Sequence, residues 1–317
     1  MKILVTGGAG FIGSNLVGAL LQDKRVTNVR VLDNLATGFK KNLTEFESNE
    51  KFEFLQGDIR EFQTCLTATR GIDKITHQAA LGSVPRSIKD PLTTNDVNVT
   101  GTLNIFRAAV ENDIDRVVFA ASSSTYGDSQ GLPKVEHTIG NPLSPYAVTK
   151  YVNELYASVF SETYNFEYIG LRYFNVFGPK QDPGGAYAAV IPLFFKAAIE
   201  NKAPTINGDG SYSRDFTYVQ NAVQANMLSL FTENQLATNQ VYNVALGEQT
   251  SLNELWFAIS NAANKSIKPN YGPIREGDIP HSLADISKAK KLLHYDPKIN
   301  IKEGLKNSYQ WYKEQVN

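Results

Sequence analysis

The apolar run at residues 2–6 (KILVT) leads straight into Gly7-Gly8-Ala9-Gly10-Phe11-Ile12-Gly13, and an amphipathic stretch over 11–21 follows. A strand that breaks into glycines and restarts as a helix constrains the fold more than any other feature of this chain. In such a turn the first glycine permits the tight bend, and the second lets the backbone approach a pyrophosphate. The third lets helix and sheet close on each other. Gly7, Gly10 and Gly13 stand at these positions, with Phe11 and Ile12 between the last two. The amino terminus of the helix then faces the phosphates with N–H groups and the positive end of its dipole. Asp33 closes the second strand-like run, 20 residues after Gly13. A carboxylate there binds the adenosine ribose hydroxyls and repels a 2′-phosphate, so the pattern predicts NAD rather than NADP. Asn34, beside it, is expected in the same contact.

The rhythm continues. Apolar runs at 28–32, 52–56, 74–77, 116–121 and 167–173 alternate with helical patterns such as 97–112 and 145–164. The runs lack strict polar alternation, as expected of strands buried on both faces. Strand–helix alternation at this spacing predicts an α/β fold with a Rossmann-type, doubly wound parallel sheet. After residue 175 the elements shorten, and Pro and Gly appear in Phe177-Gly178-Pro179, Asp182-Pro183-Gly184-Gly185 and Asn207-Gly208-Asp209-Gly210. We therefore expect a dinucleotide-binding domain over 1–178, with returning segments near 215–245, and a smaller α/β substrate domain over 179–317 covering the open edge of the sheet. Hydrophobic residues at 42% and charged residues at 20% suit one soluble globular chain. A net charge of −1 points to neither nucleic acid nor a membrane surface. Cys65 is the only cysteine, so neither an internal disulfide nor a cysteine metal site is expected. His77 and His281 are not spaced as metal ligands, which leaves packing or hydrogen bonding. The chain opens without a leader pattern and holds no apolar run of about 20 residues, so a cytoplasmic location is expected.

Tyr146 and Lys150 lie four residues apart, on one face of the 145–164 helix. A phenol ordinarily titrates near about 10. A cation within a few Å favours the phenolate, so Lys150 is expected to lower Tyr146 toward the range where it takes a proton from an alcohol. The spacing alone is common on exposed helices. Ser122-Ser123-Ser124-Thr125-Tyr126-Gly127 follows the 116–121 run, at the strand end where open α/β sheets bind ligands. A serine-rich loop can equally cap the next segment.

Together, the glycine turn, the serine cluster and the Tyr146/Lys150 pair resemble the extended short-chain dehydrogenase/reductase superfamily over essentially the whole chain. The resemblance implies that Tyr146 transfers the proton, that Lys150 binds the nicotinamide ribose and tunes Tyr146, and that Ser122 hydrogen-bonds the reacting hydroxyl beside Ser123 and Ser124. It implies adenine contacts at Asp58 and Ile59, and a pyrophosphate and nicotinamide loop at Gln78, Ala79 and Ala80. It also places Asn98 and Phe174 near the cofactor. It implies a homodimer through a bundle of the 97–112 and 146–164 helices.

Arg172-Tyr173-Phe174-Asn175-Val176-Phe177-Gly178-Pro179 is similar to a run of nucleotide-sugar enzymes in which the asparagine contacts the diphosphate. Further matching segments hold Ala189 and Val190, Phe194, Thr205 and Asn207, Arg214, and Arg275 and Asp278. The arginines offer forks for a diphosphate. Related dehydratases carry Thr-Asp-Glu where this chain has Ser122-Ser123-Ser124, and related decarboxylases carry a glutamate there. Elimination therefore lacks its acid and base, whereas a C4 epimerase needs neither. The 82–91 loop, with Ser83 and Arg86, resembles that of bacterial UDP-N-acetylglucosamine 4-epimerases. Ser282 is small where UDP-glucose enzymes carry tyrosine. The expected substrates are UDP-GlcNAc and UDP-GalNAc or their uronic acids. The alternatives are UDP-glucose epimerisation, dehydration or decarboxylation on the same fold, and a non-enzymatic dinucleotide sensor.

Overall fold

A computed structural model describes residues 1–185, 188–274 and 279–316. The apolar runs form β1 (Lys2–Thr6), β2 (Asn28–Asp33), β3 (Phe52–Gln56), β4 (Lys74–His77), β5 (Arg116–Ser122) and β6 (Glu167–Tyr173). With the strand Gln240–Val244 they make a seven-stranded sheet in the order Gln240–Val244, β6, β5, β4, β1, β2, β3. Every pairing in it is parallel. The order turns back between β1 and β4, and such a switch point leaves a crevice at the carboxyl ends of the strands.

The amino-terminal helices are α1 (Phe11–Gln22), α2 (Phe62–Thr69), α3 (Val84–Lys89), α4 (Pro91–Asn95), α5 (Gly101–Glu111) and α6 (Pro145–Tyr164). They are followed by α7 (Val190–Ile199), α8 (Val219–Phe231), α9 (Leu252–Ala262), α10 (Ser287–Leu293) and α11 (Ile301–Val316). One face of the sheet packs on Leu16 and Leu20 of α1 and Ala222 and Leu230 of α8. The other packs on Cys65 of α2, Phe106 of α5 and Phe160 of α6. Apolar side chains on both faces explain why the strands read as continuous hydrophobic runs.

α6 begins where its sequence says it should. The Ser144 hydroxyl accepts the Ala147 N–H at 3.1 Å, Pro145 occupies the first turn, and left-handed Asn165 ends the helix. The helix expected at 97–112 differs. A π-helical turn, Asp96–Thr100, precedes α5 and joins it to α4. Asn98 sits in that wider turn and bonds to a neighbouring loop, a constraint that the apolar period does not encode.

A third core gathers Phe194 and Phe195 of α7, Leu255 and Trp256 of α9, and Leu305 and Tyr312 of α11. Phe11 at the start of α1 and Val176 just after β6 pack against it. It therefore meets the sheet at the carboxyl ends of the strands rather than along an edge. Short strand pairs stitch this region together: Thr205–Asn207 with Asn270–Gly272, and Ser213–Arg214 with Thr250–Ser251. Among the described residues no helix is long and apolar enough to cross a membrane.

Candidate active site

The switch point opens into a cavity of about 540 Å³. Its floor is the glycine turn. Gly7 takes φ +69°, and a Cβ there would stand 2.6 Å from the Ala79 nitrogen; one on Gly13 would stand 2.1 Å from the Gly7 carbonyl oxygen. Neither position has room for a side chain. On Gly10 a Cβ would meet only that carbonyl, at 3.2 Å, and on Gly82 it would meet nothing within 4 Å. Both therefore border open space in the cavity. Phe11 and Ile12 line the same wall. α1 starts behind extended Gly10, which makes no side-chain cap, so the first N–H groups of the helix are available to an anion.

Asp33 faces the cavity from the end of β2. Its carboxylate accepts the Ala9 N–H at 2.9 Å and the Leu35 N–H at 2.8 Å. Burial raises its pKa, and these two hydrogen bonds pull it back. Asn34 borders the cavity and donates to Asp58 at 2.8 Å. The Asp58 carboxylate is already engaged by Arg60 at 2.8 Å, which holds it down to about 2. Gly57, Ile59 and Arg60 line the cavity and Asp58 does not. Gln78, Ala79 and Ala80 form the facing wall, with Gln78 held by Tyr173, whose hydroxyl donates to it at 3.1 Å.

Two residues expected at the cofactor stand behind the wall. Asn98 is fully buried; its Oδ1 accepts the Leu81 N–H at 2.7 Å, and its Nδ2 donates to Leu81 O and to Thr149 Oγ1. It shapes the loop rather than bordering the cavity. The Phe174 ring is apolar and finds its place in the core, packed against Tyr126.

Ser122 at the end of β5, with Tyr146 and Lys150 on successive turns of α6, lines the wall across from the glycines. Ser122 Oγ accepts the Ser124 N–H at 3.1 Å and its hydroxyl at 2.8 Å, and shares a hydrogen bond with the Tyr146 phenol. Ser123 and Ser124 lie on the following turn, outside the cavity lining. Burial raises Tyr146, and the Ser122 hydrogen bond opposes it. Lys150 is 4% exposed; burial pulls it down to about 8 against the attraction of Glu154. Its Nζ donates to Ala120 O at 2.8 Å and stands 6.0 Å from the centre of the Tyr146 ring. The expected lowering of the phenol by lysine is thus not met here. Desolvation outweighs the Ser122 hydrogen bond, and the Lys150 ammonium gives its hydrogen bond to a backbone carbonyl.

The expected sugar-side residues are more dispersed. Asn175, at φ +36°, borders the cavity and donates to Asp215 O at 3.1 Å. Ser213 organises a second cluster. Its carbonyl accepts the Ser282 N–H at 3.1 Å and an Arg214 N–H at 2.9 Å, and its hydroxyl meets His281 Nδ1 at 2.8 Å. Arg214 also donates to Pro280 O. Arg214 and Ser282, far apart in sequence, are therefore neighbours. Thr205 and Asn207 lie on their short strand, and Ser83 caps α3 by accepting the Arg86 N–H. Ala189 caps α7, where Val190 is the first residue. Phe194 does not face outward: it is 3% exposed and packs edge-on against Trp256 in the third core. Arg275 and Asp278 lie outside the described residues. His77 is held between Thr6 and Thr102 at 2.6 and 2.9 Å, and burial drives it down to about 3, a packed neutral histidine.

Sequence reasoning overlooked Thr37, Phe39, Asn42, Lys180, Gln181 and Asp182 on the cavity wall. They carry no spacing signal, because two separate loops bring them together. It gave no role to Asp215, which is fully buried and accepts N–H bonds from Leu246, Gly247 and Ala284. Burial raises it to about 7.

Residues 3–245 match the NAD dependent epimerase/dehydratase family. The chain belongs to that family. The open backbone at Gly10, the uncapped start of α1 and the Asp33 carboxylate on the cavity wall all fit NAD, the family's cofactor. A putative UDP-glucose 4-epimerase of Methanocaldococcus jannaschii is 40% identical over 98% of both chains. The solved UDP-N-acetylglucosamine 4-epimerase of Methanobrevibacter ruminantium M1, in complex with UDP-N-acetylmuramic acid, is 39% identical. It superposes with a TM-score of 0.93 over 99% of this chain and 98% of its own. UDP-glucuronic acid 4-epimerase of Bacillus cereus, solved with UDP-glucuronic acid and NAD, is 32% identical, with a TM-score of 0.91 over 99% and 100%.

Proposed function

We propose that the protein epimerises a UDP-hexose at C4, with UDP-GlcNAc and UDP-GalNAc, or their uronic acids, as the substrates. The observation that carries this reading is the cluster of Ser122, Tyr146 and Lys150 on the cavity wall, followed by Ser123 and Ser124 where elimination would require carboxylates. Tyr146 takes the proton of the C4 hydroxyl and later returns it, and Ser122 holds that hydroxyl. Lys150 orients the cofactor's ribose and adds positive potential near the phenol. NAD, which Gly7, Gly10, Gly13 and Asp33 would hold, would supply the reversible hydride chemistry at C4. The protein must keep the diphosphate in place while the 4-keto ring turns over, a role we assign to Asn175, Arg214 and Arg275. Asp278 would bind the nucleotide ribose. The choice of acetamido sugars rests on Ser282, a small residue whose backbone N–H bonds to Ser213 O next to Arg214, and on the likeness to the M. ruminantium enzyme.

Side-by-side product assays with UDP-Glc, UDP-GlcNAc and UDP-GlcNAcA test this. The expected result is a C4 epimer of an acetamido sugar with no net NADH. Loss of water or carbon dioxide would refute epimerisation, and turnover of UDP-Glc alone would refute the sugar assignment. We also propose a homodimer through α5 and α6. Val148, Leu155 and Val159 are each about half exposed along one side of α6, an apolar row that a second copy would cover. Sedimentation decides it: a monomer at micromolar concentration overturns the dimer.

A further inference from the structure

Segment 178–182 crosses from the third core to the mouth of the cofactor cavity and is tied down on three sides. Asn15 of α1 donates to Pro179 O at 3.0 Å. Tyr312 of α11 lies within hydrogen-bonding distance of Gly178 O and Gln181 Oε1, at 3.3 and 3.2 Å. The third tie is Lys180, which holds the left-handed φ of +73°. Its side chain reaches the loop after β2, donating to Asn42 O at 3.0 Å and Glu45 Oε1 at 2.7 Å, with its ammonium 5.0 Å from the Phe46 ring centre. That loop is itself fastened to the glycine turn. Asn42 Nδ2 and the Phe39 N–H both donate to Ala9 O, and the Ala9 N–H donates to Asp33. An unbroken chain of hydrogen bonds thus runs from Lys180 to the ribose-facing carboxylate. Lys180, Gln181 and Asp182 line the cavity on one side, and Thr37, Phe39 and Asn42 line it on the other.

We propose that Lys180, with Asn42 and Glu45, is a latch that closes the cofactor cavity and retains NAD between turnovers. The need for it rests on the epimerase reading above: a hydride taken and returned in one turnover requires that the cofactor stay in place. A backbone held at positive φ by a non-glycine residue stores strain that surrounding contacts must offset. Here those contacts are the latch. Glu45 is 62% exposed, so its part of the latch is screened by salt.

The test is the release rate of radiolabelled NAD, chased with unlabelled NAD in the absence of sugar, so it stands whatever the substrate proves to be. Lys180→Met is expected to speed release about tenfold, the loss of two charge-assisted hydrogen bonds. Glu45→Gln should speed it about threefold, since Asn42 O still accepts. Lys180→Arg should restore a rate near that of the parent. Added salt should accelerate release from the parent and leave Lys180→Met unchanged, which a general loss of stability would not do. If Lys180→Met does not fold, Glu45→Gln decides. Release within a factor of about 1.5 of the parent in Glu45→Gln, or about twofold in a folded Lys180→Met, overturns the latch.

Discussion

On the cofactor side of the cavity, Gly7, Gly10, Gly13 and Asp33 arrive within one strand–turn–helix–strand unit, each held by the backbone of its neighbours. Among the residues proposed for the sugar, Asn175, Arg214 and Ser282 come from three separate segments joined by short strand pairs and by hydrogen bonds to Ser213 and Asp215, and of the three Asn175 alone borders the cavity. The first side is built by close approach, where at Gly7 and Gly13 one methyl group is too many. The second is held by hydrogen bonds between short connectors that are distant in sequence. The contrast teaches that one side is specified by a single local unit of sequence, whereas the other depends on contacts between distant segments.

Four measurements probe the contrast, taken here from the largest expected effect to the smallest. Tyr146→Phe should lower kcat about 10³-fold while NAD stays bound; a rate within tenfold of the parent would remove Tyr146 from the chemistry. Ser282→Tyr should lower kcat/KM for UDP-GlcNAc roughly 30-fold relative to UDP-Glc, and an unchanged ratio would detach the sugar side from specificity. Gly13→Ala should weaken NAD binding about tenfold and lower Tm by several degrees, because overpacking costs about 1–3 kcal/mol. Calorimetry that finds neither change would break the close-approach account.

Lys150→Met is the smallest and the most diagnostic. Below pH 8 the ammonium is charged in both folded and unfolded chains, and the folded chain bears the cost of burying it. Between pH 8 and about 10.4 the folded lysine sheds its proton while the unfolded one keeps it, so the parent gains stability as pH rises. The inactive variant should therefore melt a few degrees above the parent at pH 7, at roughly 2–4 °C per kcal/mol, and the gap should close by pH 10. A gap that does not change with pH would show that Lys150 is not strained by burial.

The buried ion pair of Arg172 and Glu154, joined at 2.9 and 2.6 Å, shows the other way of keeping a cation inside. Arg172 has a bidentate partner, whereas Lys150 has one carbonyl and a cavity. That difference supports the role proposed for Lys150.

The strands, the limits of α6 and the glycine turn were legible in the sequence, because each depends on neighbours a few residues away: side-chain period, a serine cap, glycines in a fixed order. The shared placement of Ser122, Tyr146 and Lys150 on one cavity wall was legible for the same reason, as local patterns on a strand end and a helix. Other features depended on contacts between distant segments. Phe194 turns inward because Trp256 of another helix faces it. Asn98 stands behind the cavity because Leu81 and Thr149 satisfy its amide. Tyr146 is raised rather than lowered because burial, a property of the whole fold, exceeds the pull of its hydrogen bond with Ser122. The order of the seven strands, which opens the crevice between β1 and β4, and the reach of Lys180 to Glu45 were likewise decided only by the tertiary structure. Local sequence specifies conformation over one or two turns, and only the packed chain decides which distant polar groups are left to meet.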